Sequence, residues 1–132
     1  MAKKQQSGSD FKSKGGVGRI FSALLYSIDG FKAAWRNEHA FRQELALVVL
    51  GVVIALILPV TARDKVALIG VLVLVLIVEL LNSAIEATID RISLERHQLS
   101  KNAKDFGSAA VLLSLLLAGA VWAVILWPLL VS

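Results

Sequence analysis

The stretch IVELLNSAIEATIDRI, residues 77–92, sets Glu79, Asn82, Glu86 and Asp90 into a run otherwise dominated by Ile, Leu and Ala. On a helix turning about 100° per residue, Asn82 falls at about −60° from Glu79, Glu86 at about −20° and Asp90 at about +20°. All four share one face. An acid at the centre of a membrane helix costs about 3 kcal/mol on insertion scales, so a carboxylate held there marks function by default. Glu86 and Asp90 lie near the inner end of this run, within reach of lipid headgroups. Glu79 lies about 10 Å deeper along the helix axis. The two glutamates are therefore poorly placed to chelate one ion directly, and a division of labour fits them better. Glu86 suits a hydrated cation such as Mg²⁺, which takes few protein ligands and keeps its waters. Glu79 suits the polar head of a lipid-soluble substrate. Three readings of this face stand side by side: polar contacts between packed helices, a proton or ion pathway through an oligomer, and an enzyme that acts on lipid. Asp90 taken alone is explained by a solvated helix end paired with Arg91 or Arg96.

The elements that carry this face follow from composition. The chain has 132 residues, 57% of them hydrophobic, and a mean hydropathy of +0.73. That is too apolar for an ordinary soluble domain of this size and indicates a single-domain, all-α membrane protein. There is no cysteine, which excludes disulfides and thiolate metal sites. Eight of the 14 Lys and Arg lie within residues 1–42. In a membrane protein such a cluster faces anionic lipid heads on the cytoplasmic side rather than nucleic acid.

Residues 1–16, rich in Lys, Ser, Gly and Gln, read as a disordered cytoplasmic tail. They do not have the pattern of a cleavable signal. From residue 18 to about 40 the pattern is an amphipathic surface helix. Ile20, Phe21, Leu24, Ile28, Phe31 and Trp35 fall within one arc of about 100°, with Asp29, Lys32 and Arg36 outside it. Glu38 would project onto the apolar arc if the helix ran that far, a poor place for a solvated carboxylate. Three membrane spans follow, at about 43–60, 65–90 and 107–128, the first closed by Pro59. The first inter-span loop carries two Lys and Arg and the second, from Arg91 to Lys104, carries four. Counting these charges puts the N-terminus and second loop inside and the C-terminus outside. Trp122 and Trp127 then sit in the outer half and at the outer interface. In the second loop, Lys104 suits polyphosphate and Asp105 a base or ribose. The plainer alternative is a membrane anchor and a helix-start charge. No Walker motif is present, GGVG at 15–18 imitates one only weakly, and neither His39 with His97 as a metal pair nor a Ser-His-Asp triad can be read.

Three segments carry a family resemblance: RNEHAFRQE at 36–44, VELLNSAIEATIDRI at 78–92 and AKDFGSAAVL at 103–112. With its specific E-x-x-N-[ST]-x-x-E core, this set resembles the prokaryotic diacylglycerol kinases over about residues 18–128. AAWRNEHAFRQE is closer to the Gram-negative branch than to the undecaprenol kinases. The resemblance implies a homotrimer of three-span subunits, each with a surface helix, in the bacterial inner membrane. It implies transfer of the ATP γ-phosphoryl group to a lipid hydroxyl with Mg²⁺, turning diacylglycerol into phosphatidate for phospholipid recycling. An undecaprenol kinase and a non-enzymatic membrane oligomer or channel are the alternatives.

Carried over residue by residue, the resemblance makes Glu79 the catalytic base and Asn82 its support, with Glu38 and Glu86 holding the metal of the bound nucleotide. Arg19, Tyr26, Glu95, Arg96, His97, Lys104 and Asp105 are implied nucleotide contacts. Implied lipid contacts are Ala23, Leu24, Ser27, Ile28, Lys32, Ala33, Ala34 and Trp35 on the surface helix. Ala40, Phe41, Arg42, Gln43 and Glu44, then Glu79, Ser108, Trp122 and Trp127, complete that set. Ile28 and Asp29 replace a Trp-Lys pair common in close relatives, and His39 replaces a small residue beside the metal acid. Because one subunit is thin, a site shared between protomers is expected, the surface helix of one completing the Glu79 face of another.

Overall fold

The computed structural model describes residues 15–132. Four helices follow in order: α1 (Gly16–Asn37), α2 (His39–Ile57), α3 (Ala62–Ile92) and α4 (Gln98–Val131). Helices α2, α3 and α4 are long and apolar enough to cross a membrane. Connections of a few residues join them, so neighbours run antiparallel. The start of α2, the end of α3 and the start of α4 therefore gather at one end of the bundle. The tail expected over 1–16 lies outside the described residues except for its last two; of these Gly16 already opens α1.

Local chemistry explains most boundaries. Leu58, before Pro59, is extended at φ −65° and ψ 143°, as a residue preceding proline must be, and α2 stops there. The Thr61 side chain accepts from the Asp64 amide at 3.1 Å and caps α3. His97 Nδ1 accepts from the Leu99 amide at 3.1 Å and opens α4. This start lies nine residues before the expected span at 107. Hydropathy marks only the lipid-facing part of α4, whereas the polar turns from Gln98 to Asp105 are stabilised as helix by pairs such as Lys101–Asp105 at 2.5 Å. Lys104 and Asp105 thus sit in the second turn of α4 rather than ahead of it, and Asp105 is not a helix-start charge.

The interior is a seam of single residues. On α3 it runs Leu68, Leu72, Val75, Glu79, Asn82, all buried, at alternating steps of four and three. That is the register of a helix packed at a shallow angle against its neighbours. Small residues face it: Gly51 and Ala55 on α2, and Gly107, Ser114 and Ala118 on α4. They allow backbones to approach closely where water and the hydrophobic effect give no help. Trp122 Nε1 donates to the Leu68 carbonyl at 3.2 Å, a polar tie across α3 and α4.

Helix α1 behaves differently. Every member of its apolar arc, from Ile20 to Trp35, is exposed. Only Ala34 is buried. Among the described residues none buries any member of the arc, the condition expected of a helix lying on a bilayer.

Candidate active site

Helix α1 ends at Asn37, and Glu38 alone joins it to α2. Its φ of −119° and ψ of 107° break the helix. Its amide still donates to the Ala34 carbonyl at 3.0 Å, and its carbonyl accepts from the Arg42 amide at 3.3 Å. The break removes Glu38 from the apolar arc and turns it into a half-buried corner residue facing the bundle.

Four carboxylates on this side of the bundle lie near enough to interact by charge without gathering into one cage. Glu79 is 4% exposed on the inward seam of α3. The charges of Glu86, Glu38 and Glu44 all reach it within one chain. Asn82 Nδ2 donates to Glu86 Oε1 at 3.4 Å. Asn82 Oδ1, Glu44 Oε2 and Ser83 Oγ are buried and have no hydrogen-bond partner among the described residues. Buried polar atoms are rarely left so, and three of them beside an acid cluster mark a place built for something polar. Among the described residues no three His, Asp or Glu side chains converge into a cage for a metal ion. One or two carboxylates beside substrate phosphates are nonetheless what Mg²⁺ uses. Glu38 and Glu86 carry donors of the kind that ion takes, without a preformed cage among the described residues.

Beyond this cluster, at the same end of the bundle, the α3–α4 connection walls an open cleft of about 730 Å³. Five of the residues singled out for nucleotide contact line it together: Glu95, Arg96, His97, Lys104 and Asp105. Lys104 Nζ bonds Asp90 Oδ1 at 2.8 Å across the cleft. Asp90 therefore pairs with a base on the next helix, not with Arg91 or Arg96. Arg19 and Tyr26, both exposed on α1, do not line that cleft.

The residues singled out for lipid divide. Ser27, Ala33 and Ala34 line a second cleft, about 460 Å³ and mostly apolar, whose other wall is Leu80, Ser83, Ala84 and Ala87 of α3. Glu38 also lines it. Ala23, Leu24, Ile28, Lys32 and Trp35 are exposed on α1, and Ala40, Gln43 and Ser108 on α2 and α4. Phe41 is buried in the core. Glu44 belongs to the acid cluster. Trp122 lines an apolar cavity between α2, α3 and α4, while Trp127 is exposed.

One residue of the site escaped sequence reasoning. Gly107 faces Asn82 so closely that a Cβ there would overlap Asn82 Oδ1 and stand 3.2 Å from its Cγ. A glycine inside a long helix costs about 1 kcal/mol against alanine, and its presence was the available signal of a close approach.

An α-helical membrane protein with an acid cluster beside a polar cleft of mixed charge is the class that this geometry defines. The family model of prokaryotic diacylglycerol kinase matches residues 25–126. A diacylglycerol kinase of Pseudomonas aeruginosa is 53% identical over 120 residues, which cover 91% of this chain and 98% of that protein. One of Escherichia coli K12 is 54% identical over 112 residues, 85% and 92% of the two chains. One of Haemophilus influenzae is 41% identical over 112 residues, 85% and 95%. The chain belongs to the prokaryotic diacylglycerol kinase family.

Proposed function

We propose that this protein transfers the γ-phosphoryl group of ATP to the free hydroxyl of diacylglycerol, giving phosphatidate and ADP. The observation that carries this reading is the burial of Glu79 among other carboxylates, one turn from Asn82 and open to neither water nor a basic partner. Such a group is suited to accept a proton from an alcohol arriving through the bilayer. Phosphoryl transfer otherwise needs alignment and charge neutralisation more than covalent help.

The residues divide the work. Glu79 accepts or orients the hydroxyl proton, and Asn82 ties the Glu79 face to Glu86. Glu38 and Glu86 would hold Mg²⁺. When bound, the ion supplies positive charge against the phosphate oxygens. Lys104, with the polar wall from Glu95 to His97, binds the nucleotide. The apolar arc of α1 keeps the chain at the bilayer surface, where a lipid enters sideways and a nucleotide enters from water. The cleft between α1 and α3, with Glu38 in its lining, is the entry route we assign to the lipid.

The loop charges support a cytoplasmic N-terminus and second loop and a periplasmic C-terminus in a bacterial inner membrane. Family membership supports a homotrimer and a role in phospholipid recycling. The names of the three relatives favour diacylglycerol over undecaprenol as the lipid. The test is a mixed-micelle assay with labelled ATP, Mg²⁺ and both lipids in competition. The expected product is labelled phosphatidate. Preferential labelling of undecaprenol would overturn the lipid assignment, and absence of any labelled lipid would overturn the enzyme.

A further inference from the structure

The joint at Glu38 leaves a defect that one side chain repairs. In an unbroken helix the Trp35 carbonyl would accept from the amide four residues on, that of His39. The extended backbone of Glu38 removes that bond and leaves the carbonyl unsatisfied in the last turn of α1. Arg42, in the first turn of α2, reaches back across the joint. Its Nη1 donates to the Trp35 carbonyl at 2.8 Å, and its Nη2 donates to His39 Nδ1 at 2.6 Å. A guanidinium is a rigid planar fork, so two bonds from its two ends fix an angle as well as a distance. On either side of the corner in sequence, Ala34 and Phe41 are both buried. Glu38 is the only residue between the two helices. Whatever fixes the angle between α1 and α2 fixes where its carboxylate points.

We propose that Arg42 is a positioning residue for Glu38: its fork locks the α1–α2 corner and so holds the Glu38 carboxylate toward Glu79. His39 gives the fork its second acceptor. The role differs from the lipid contact that resemblance implies for Arg42, since both terminal nitrogens are already engaged within the chain. The proposal rests on the assignment of Glu38 to the metal given above.

Two readouts other than turnover test it in the full-length protein in detergent. The first is hydrogen exchange of the amides at 38–42 without metal or nucleotide. Arg42→Ala is expected to speed it, and Arg42→Lys, whose point charge cannot span both acceptors, to do nearly the same. The second is Mn²⁺ titration by electron paramagnetic resonance with a non-hydrolysable ATP analogue. Loss of a group that orients a ligand costs about 10–100-fold in metal affinity, and Arg42→Ala is expected near the lower end. His39→Ala, which keeps the bond to Trp35, is expected to weaken Mn²⁺ less and serves as the milder variant if Arg42→Ala fails to fold. The KM for lipid is expected to stay put. Unchanged Mn²⁺ affinity and exchange in these variants, or a rise in lipid KM alone, would overturn the role of Arg42. Wild-type protein that binds no Mn²⁺ with the analogue would instead overturn the metal assignment of Glu38 itself.

Discussion

In the first half of α3 the buried seam is Leu68, Leu72 and Val75; in the second half it is Glu79 and Asn82, with half-buried Glu86 one step further. The spacing does not change between the halves, nor does the kind of neighbour, since small residues of α2 and α4 face both. Gly51 faces Leu72, and Gly107 faces Asn82. What changes is the consequence of burial. An apolar residue in this register contributes packing and is indifferent to a shift of a few tenths of an ångström. A carboxylate there sits at a high cost in solvation, with unpartnered oxygens around it, and matters only if its direction is kept. The same helical frame thus buries apolar residues at one end and an acid at the other.

Substitutions can test this contrast. Glu86→Gln keeps the shape of the second half and removes its outermost charge. It is expected to lower kcat/KM for magnesium-ATP by about a hundredfold and to raise the Mg²⁺ needed for half-maximal rate, with lipid KM unchanged. An unchanged metal dependence would contradict the role of Glu86. Gly107→Ala pushes a methyl group onto Asn82. Turnover is expected to fall about tenfold, short of the roughly hundredfold that displacing reacting groups by about 1 Å can cost. Gly51→Ala is the matched substitution in the first half. Its Cβ would lie 2.5 Å from Leu72 Cδ1, the end of a flexible side chain. A loss of about 1 kcal/mol in thermal or denaturant stability is expected, with turnover intact. If both glycine variants lose turnover equally, the two halves are not distinct. Trp122→Phe removes the tie to Leu68 and should cost about 0.6 kcal/mol in stability.

Much of this arrangement was legible in the chain. The three spans, the surface helix and the shared face of Glu79, Asn82 and Glu86 follow from hydropathy and a helical repeat. Glu38 was conspicuous because its projection onto the apolar arc was wrong for an acid. The resolution, a break at that residue, was not readable, since RNEHA contains neither Gly nor Pro and the bond that stabilises the corner comes from a side chain four residues on. The early start of α4 was hidden because charged turns outside lipid carry no hydropathy signal. The pairing of Asp90 with Lys104 joins residues 14 apart in sequence, and nothing local selects Lys104 over Arg91 or Arg96. Phe41 shows the opposite limit. Its place among implied lipid contacts follows from position in a motif, whereas its side chain fills the core.

The most direct test is to measure turnover and nucleotide binding together on Glu79→Gln. Turnover is expected to fall by about 10²–10⁴-fold, the contribution of a positioned base, with the affinity for a non-hydrolysable ATP analogue and the thermal midpoint left near wild type. Turnover close to wild type would contradict it, since the buried acid would then not be the group that activates the lipid hydroxyl.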